Sequence, residues 1–187
     1  MVTIRNETFA DIDAREDLLD RVWGPVRLHK TAERLREGRY PADKLSLVAD
    51  DDGHVVGTVR LWHVCAGPGC PALLLGPLAV EDAQRGLGIG GALMRHAIAA
   101  ARRRNHRAIV LVGDADYYTR FGFSGEKMSG LWLPGPFERD RLLGCELRSG
   151  ALNGARGMVS ATGRTAPTPS LDSLIAHLGL SEARHAA

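Results

Sequence analysis

The chain has 187 residues, enough for one domain with a sizeable core and a short appendage. Its apolar content of 44% and charged content of 25% are those of an ordinary soluble protein, and 24 Lys+Arg against 22 Asp+Glu leave a formal charge of +2, which argues for no nucleic-acid partner. No apolar run approaches the roughly 20 residues that span a bilayer, and a start carrying Arg5, Glu7 and Asp11 is no signal peptide, so no membrane partner and a cytoplasmic location are expected.

Val2-Thr3-Ile4-Arg5 alternates as an opening strand does. Phe9, Ile12, Leu18, Leu19 and Val22 line one face of a helix from about Ala10 to Trp23, stopped by Gly24-Pro25. A second helical stretch, Thr31 to Gly38, opens on a capping-type Thr31, and Pro41 prevents its continuation. Leu45 to Ala49 and Val55 to His63 are strands joined by Asp50-Asp51-Asp52-Gly53, and Asp-Gly is a hairpin turn, so the two pair antiparallel. The three aspartates read as a solvated turn, without the ligand spacing of a cation site; no metal is expected. Cys65, Cys70 and Cys145 are odd in number and lack C-x-x-C spacing, which indicates free thiols.

The loop from Cys65 to Pro71 leads into Leu73 to Val80, an apolar run of strand length interrupted by Gly76-Pro77. Proline cannot donate to a ladder, and glycine in a strand marks a bulge or a close backbone approach. Next come Arg85-Gly86-Leu87-Gly88-Ile89-Gly90-Gly91 and an Ala-rich helix with Leu87, Gly91, Met94, Ile98 and Ala101 at helical spacing. Its arginines, Arg102, Arg103, Arg104 and Arg107, read as a solvated helix end. Ala108 to Val112 is a second apolar strand, so strand, glycine turn, helix and strand form a βαβ unit with two buried parallel strands. Glycines leave room for a bound group, and the first N–H groups of a helix are unpaired at its positive end, so this turn is a phosphate site.

Two kinds of protein use such a turn. Gly86, Gly88 and Gly91 satisfy G-x-G-x-x-G, with Asp114 after the next strand, as in a dinucleotide-binding fold and hence a nucleotide-dependent oxidoreductase. In that fold, however, the first glycine follows its strand directly, whereas here Glu81 to Arg85 intervene. The longer match is to another family. Arg85-Gly86-Leu87-Gly88-Ile89-Gly90 after Leu78-Ala79-Val80 resembles the R/Q-x-x-G-x-G/A pyrophosphate loop of the GNAT N-acetyltransferase superfamily, and Tyr118-Thr119-Arg120-Phe121-Gly122-Phe123 resembles its Y-x-K/R-x-G-F signature. The shortened Gly113-Asp114-Ala115-Asp116-Tyr117-Tyr118 lead-in looks like the YhbS-like branch of predicted N-acetyltransferases, a resemblance that runs from about Arg27 to Arg156.

The resemblance implies a GNAT fold of the α/β class: a mixed, mostly antiparallel central sheet, splayed between its two parallel middle strands and flanked by helices. It implies acetyl-CoA as cosubstrate, bound by Leu78, Ala79, Val80, Arg85, Gly86, Leu87, Gly88, Ile89, Gly90, Gly91 and Tyr117. It further implies transfer to a primary amine in a ternary complex, with backbone N–H near Leu78 or Ala79 on the oxyanion and Tyr118 as the acid. Tyr117 could exchange roles with Tyr118 if the shortened loop shifts the register. The usual glutamate base of the central strand is absent, which leaves His63, Asp114 or water. The acceptor, a small molecule or a protein, would meet the segment from Trp23 to Tyr40. A non-catalytic acyl-CoA-binding regulator on the same fold is the alternative.

Leu131 to Leu133 and Leu142 to Leu147 read as short strands of the closing half-sheet. Composition shifts at Ser160, dividing the chain into a domain of residues 1–159 and a tail of residues 160–187, with Thr162 to Pro169 as linker. In the tail Leu171, Leu174, Ile175 and Leu178 make the apolar stripe of a short C-terminal helix. Such a helix needs a surface, on this subunit or on a second copy in a homodimer.

Overall fold

A computed structural model describes residues 1–167. In chain order its strands are β1 (Val2–Asn6), β2 (Ser46–Asp51), β3 (His54–Ala66), β4 (Pro71–Val80), β5 (Ala108–Val112), β6 (Leu131–Trp132), β7 (Leu142–Glu146) and β8 (Gly157–Ala161). The helices are α1 (Ile12–Trp23), α2 (Ile89–Arg103) and the single turn α3 (Ala115–Tyr118). The sheet runs β1-β2-β3-β4-β5-β7, with β8 against β3 and β6. Its pairings are antiparallel except β4 with β5 and β6 with β8.

Alternation along the strands sorts side chains to the two faces. Leu47, Val59, Leu61, Leu73, Leu75, Ile109 and Leu111 pack with Leu93, Met94, Ala97 and Ile98 of α2. On the other face Trp62, Val64, Leu74 and Val110 pack with Leu131, Leu133 and Leu152, while Leu18 and Leu19 of α1 meet Val48, Val55 and Ala79. Each fully buried leucine of this kind contributes about 2 kcal/mol. The approach of α2 depends on one glycine: a Cβ at Gly57 of β3 would lie 3.0 Å from the Leu93 Cδ1 and 3.2 Å from the Ile89 Cγ2.

The βαβ unit is as expected, and the parallel pairing is short. Leu73 faces Ile109 and Leu74 faces Val110. Past Leu74, β4 continues along β3, with Leu78 opposite Val59 and Val80 opposite Gly57, after a register shift between Val59 and Leu61. Among the described residues, one edge of β4 from Leu75 to Val80 therefore has no strand against it, which is the expected splay. The Trp62 indole N–H donates to the Gly76 carbonyl at 3.0 Å, holding the bulged strand from the α1 side.

Several elements differ from expectation. Phe9 is 91% exposed rather than on the inner face of α1, because Thr8 donates its N–H and its hydroxyl to the Asp11 carboxylate, both at 2.7 Å, and this turn sets Phe9 outward. The stretch from Thr31 to Gly38 is not a helix but a 3-10 turn over Thr31–Leu35, preceded by another over Pro25–His29. Thr31 does not cap it: the hydroxyl donates to the Pro136 carbonyl, and Arg34 donates to the Pro134 carbonyl at 2.8 Å. Tertiary bonding to a distant loop thus overrides local propensity.

The composition break at Ser160 does not mark where the sheet ends. β8 crosses it, pairing Val159, Ser160 and Ala161 with Ala66, Cys65 and Val64. Beyond β8, Thr162 donates to the His63 carbonyl at 3.1 Å and Ala166 to the Gly38 carbonyl at 2.8 Å. The amphipathic stripe from Leu171 to Leu178 lies outside the described residues.

Candidate active site

A 3-10 turn over Asp82–Gln84 follows β4 and delivers the chain to the glycine loop. Gly86 has φ 84 and Gly88 φ 82, where a side chain is strained, and a Cβ at either position would meet nothing within 4 Å. The loop is therefore open on the side where a ligand approaches. Gly88 is the N-cap of α2, and the helical ladder begins with Ala92 donating to the Gly88 carbonyl at 2.9 Å. The N–H groups of Ile89, Gly90 and Gly91 precede that first bond and lie at the positive end of the helix. Ile89 itself is 5% exposed and packed in the core, so only its backbone is available.

From this loop a cleft of about 390 Å³ follows Leu78, Ala79 and Val80 toward Val22 and Trp23 at the end of α1. Arg85, Gly86, Gly88, Ile89, Gly90, Gly91 and Tyr117 also line it, with Gln84 and Arg120, so most of the cofactor residues expected from sequence share one cavity. Leu87 does not: it precedes the helix and is 72% exposed. The Arg85 guanidinium, on a largely exposed side chain, is paired with Asp82 at 2.8 Å. Opposite the loop, the Tyr117 hydroxyl comes within 2.8 Å of where a Gly90 Cβ would be. Arg120 lies over the Tyr117 ring, 4.1 Å from its centroid.

Tyr118 is one layer deeper and is not among the side chains lining this cleft. Its ring lies against Gly113, where a Cβ would come within 2.3 Å of the Tyr118 Cε2, and it meets the Tyr117 ring edge-on at 4.9 Å. Burial pushes its phenol up to about 12; Tyr117 and Asp114 act in the same direction and Arg141 against it. Asp114 has a structural task, since its carboxylate accepts from the Asp116 N–H at 3.0 Å and caps α3. His63 faces Leu73 across the sheet, five residues down β4 from Leu78, or about 17 Å at strand spacing. Its ring neighbours His106 at 5.4 Å, so the fold separates His63 from the cleft.

Two groups of residues were given no binding role of their own in the sequence. Arg120 also bounds an open groove of about 680 Å³ with Arg95, Arg102 and Arg103 of α2. The seven-residue spacing of Arg95 and Arg102 puts them on one helix face, which was the available signal. The second group lies across β4, on the α1 side. There Arg15 pairs with Glu7 and, at 2.7 Å, with Glu16. Arg27 reaches Glu16 at 2.6 Å and Asp20 at 2.7 Å, Arg36 reaches Glu33 at 2.7 Å, and Arg60 lies 3.6 Å from Glu16. Burial raises the Glu16 carboxyl, but Arg15 and Arg27 outweigh it and hold it below the usual range. Burial lowers Arg36, and lowers Arg60 to about 10.

Among the described residues no group of three His, Cys, Asp or Glu side chains is arranged to hold a metal, and no helix is long and apolar enough to cross a membrane. The Acetyltransferase (GNAT) domain family matches residues 42–125. The uncharacterized N-acetyltransferase YhbS of Escherichia coli strain K12 is 31% identical over 158 residues, 83% of this chain and 93% of that protein. The crystal structure of E. coli YhbS in complex with CoA superposes with a TM-score of 0.74 at 30% identity, covering 86% of this chain and 89% of that one. A GNAT family acetyltransferase from Brucella melitensis, solved with acetyl-CoA, gives a TM-score of 0.58 at 34% identity, over 66% of this chain and 83% of that one.

Proposed function

The chain belongs to the GNAT acetyltransferases, and on that premise we propose that it moves the acetyl group of acetyl-CoA directly to a primary amine of a small molecule or protein in the cytoplasm. One observation carries the reading: the open N-terminus of α2 lies in the same cleft as Leu78, Ala79 and Val80, beside the edge of β4 that no strand covers among the described residues. In this reading the N–H groups of Ile89, Gly90 and Gly91 hold the pyrophosphate. The extended arm of the cosubstrate runs along Leu78 to Val80 as an extra strand would. Arg95, Arg102 and Arg120 give its phosphorylated nucleotide end a cationic wall.

The chemistry then needs three things of the protein. A neutral amine attacks the thioester carbonyl, and the proton its nitrogen sheds passes to water, since His63 is remote and Asp114 caps α3. As the C=O bond opens, negative charge gathers on its oxygen, and a free backbone N–H near Leu78 or Ala79 stabilises it. The C–S bond then breaks, and the departing thiolate takes a hydrogen bond from the Tyr118 hydroxyl. A phenol near 12 is a weaker acid than a free thiol at roughly 8.5. Tyr118 therefore acts mainly by donating to the developing charge, with the proton crossing only as burial makes the sulfur more basic.

The depth of Tyr118 is also what a packing role would produce, and it favours the second reading, a non-catalytic acyl-CoA-binding regulator. Acetyl-CoA titrated calorimetrically tests the binding half, and thiol release across amino acids, polyamines, aminoglycosides, nucleotide amines and protein lysines tests the catalytic half. Binding with thiol release that depends on an amine upholds the transferase. Binding without release from any amine selects the regulator, and nicotinamide-nucleotide binding in place of acetyl-CoA would overturn both.

A further inference from the structure

Where β4 bends at Gly76-Pro77, the α1 side of the sheet is lined with charge rather than with apolar side chains. Arg15, Arg27, Arg36 and Arg60 share Glu7, Glu16, Asp20 and Glu33, while Lys30 lies exposed at the rim over the Trp23 ring, 4.0 Å from its centroid. Four arginines therefore face four carboxylates, and the carboxylates are unevenly spread. Glu16 serves three arginines, and Asp20 is at the rim with its side chain 57% exposed.

The shortfall falls on Arg36 and Arg60. Arg36 is 7% exposed and Arg60 has a side chain 13% exposed, yet the Nε of each has no hydrogen-bond partner among the described residues. Among the described residues the nearest carboxylate to Arg60 is at 3.6 Å, beyond good hydrogen-bond distance. Arg36 spends Nη2 on Glu33, while its Nη1 lies 3.9 Å from where a Gly76 Cβ would project. A buried guanidinium is ordinarily satisfied by its own carboxylate, because leaving donors unmade inside a protein is costly. Burial accordingly weakens the hold of both groups on their protons. The position also matters, since Gly76 is two residues before Leu78, about 7 Å along the strand.

We propose that Arg36 and Arg60 bind a carboxylate of the acceptor, so that the amine acetylated by this protein carries an acid group a few bonds from its nitrogen. The inference rests on the transferase reading and names the acceptor class within it. A carboxylate is favoured over phosphate because four arginines already face four carboxylates here, so a monoanion leaves less unbalanced buried charge than a dianion. Each guanidinium leaves its Nε–H without a partner among the described residues, and two such donors in fixed planes suit the two oxygens of a carboxylate.

The test uses paired probes on the full chain with CoA bound. N-acetyl-L-alanine, a product of the inferred class, and its methylamide are titrated calorimetrically into the complex, with inorganic phosphate as competitor. The carboxylate should bind at least about 30-fold more tightly than the amide, the worth of hydrogen bonds to a charged group. Arg60→Met, which removes a guanidinium held among the described residues only by Glu16 at 3.6 Å and by the Trp62 ring at 5.1 Å from its centroid, should erase that preference with little change in Tm. Arg36→Met serves as the second variant should Arg60→Met fail to fold. In turnover, the KM advantage of alanine over ethylamine should vanish in the same variants.

Equal binding of acid and amide overturns the proposal, as does tighter displacement by phosphate than by free carboxylate. A lowered Tm with all amines weakened alike would assign the arginines to the framework instead, and also overturns it. If acetyl-CoA is turned over with neutral amines and an acid group brings no advantage, the transferase stands and this inference fails. If N-acetyl-L-alanine binds through Arg60 but no amine is acetylated, the anion site stands and the transferase reading fails.

Discussion

The two sides of β4 offer donors for negative charge by opposite means. At the glycine loop the donors are backbone N–H groups at a helix end, and side chains are excluded by the glycines. Across the strand, near Gly76, the donors are long side chains from α1, two 3-10 turns and β3. A backbone site is rigid and indifferent to what the rest of the ligand looks like, which suits a cosubstrate that never changes. A side-chain site can be altered one residue at a time without disturbing the sheet, which suits an acceptor.

The largest effect should come from spoiling the backbone site. Gly88→Ala puts a methyl group at φ 82 on the open side of the loop. Two or three charge-assisted bonds are then disturbed together, so acetyl-CoA affinity should fall about 10³-fold by calorimetry, while backbone strain of about 1–2 kcal/mol lowers Tm only slightly. Unchanged affinity would place the anion somewhere other than the loop and end the comparison.

Next in size is Tyr118→Phe, which keeps the ring against Gly113 and removes one hydroxyl. Turnover should fall roughly 10²-fold with acetyl-CoA affinity retained, and Tyr117→Phe, at the cleft wall, should alter affinity more than turnover. The reverse pattern would mean that the register has moved by one residue. A pH signature accompanies it. With the phenol raised from 10.0 to about 12, both folded and unfolded chains keep the proton below pH 10. Between pH 10 and 12 the unfolded chain loses it first, so stability of about 3 kcal/mol from this group drains away as pH rises through that window. Tyr118→Phe should flatten that part of the curve, measured by denaturant unfolding at each pH.

The smallest expected effect concerns the cationic groove. Arg120→Ala should weaken CoA about 10-fold, the worth of one bond to a charged group, and leave dephospho-CoA almost untouched. Equal losses for both ligands would show that Arg120 acts through the Tyr117 ring beneath it rather than through a phosphate.

The same contrast explains what could be read without coordinates. The loop was legible because its determinants are contiguous: Gly76-Pro77 announced the bend, Gly86 to Gly91 the turn, and Ala-rich sequence the helix. The arginine cluster was not, because Arg15, Arg27, Arg36 and Arg60 each look like an ordinary solvated residue until four segments converge. β8 was hidden for another reason. Of its five residues only Val159 is buried, so Gly157–Ala161 carries almost no strand pattern and blends into the polar sequence that follows. Phe9 and Thr31 were misplaced because turn and loop hydrogen bonds, not apolar periodicity, set their orientation.

That hidden strand has a practical consequence for anyone cutting or fusing this protein. The backbone of Arg164 accepts from the Tyr40 N–H at 2.9 Å, and Ala166 donates to Gly38, so the segment flanking the arginine cluster is fastened by residues near the end of the described chain. A deletion after Ser160, the boundary that composition suggests, would unfasten that flank and could imitate an acceptor-site defect. A deletion after Pro167 leaves every one of those bonds in place, and only there does loss of activity speak for the tail itself.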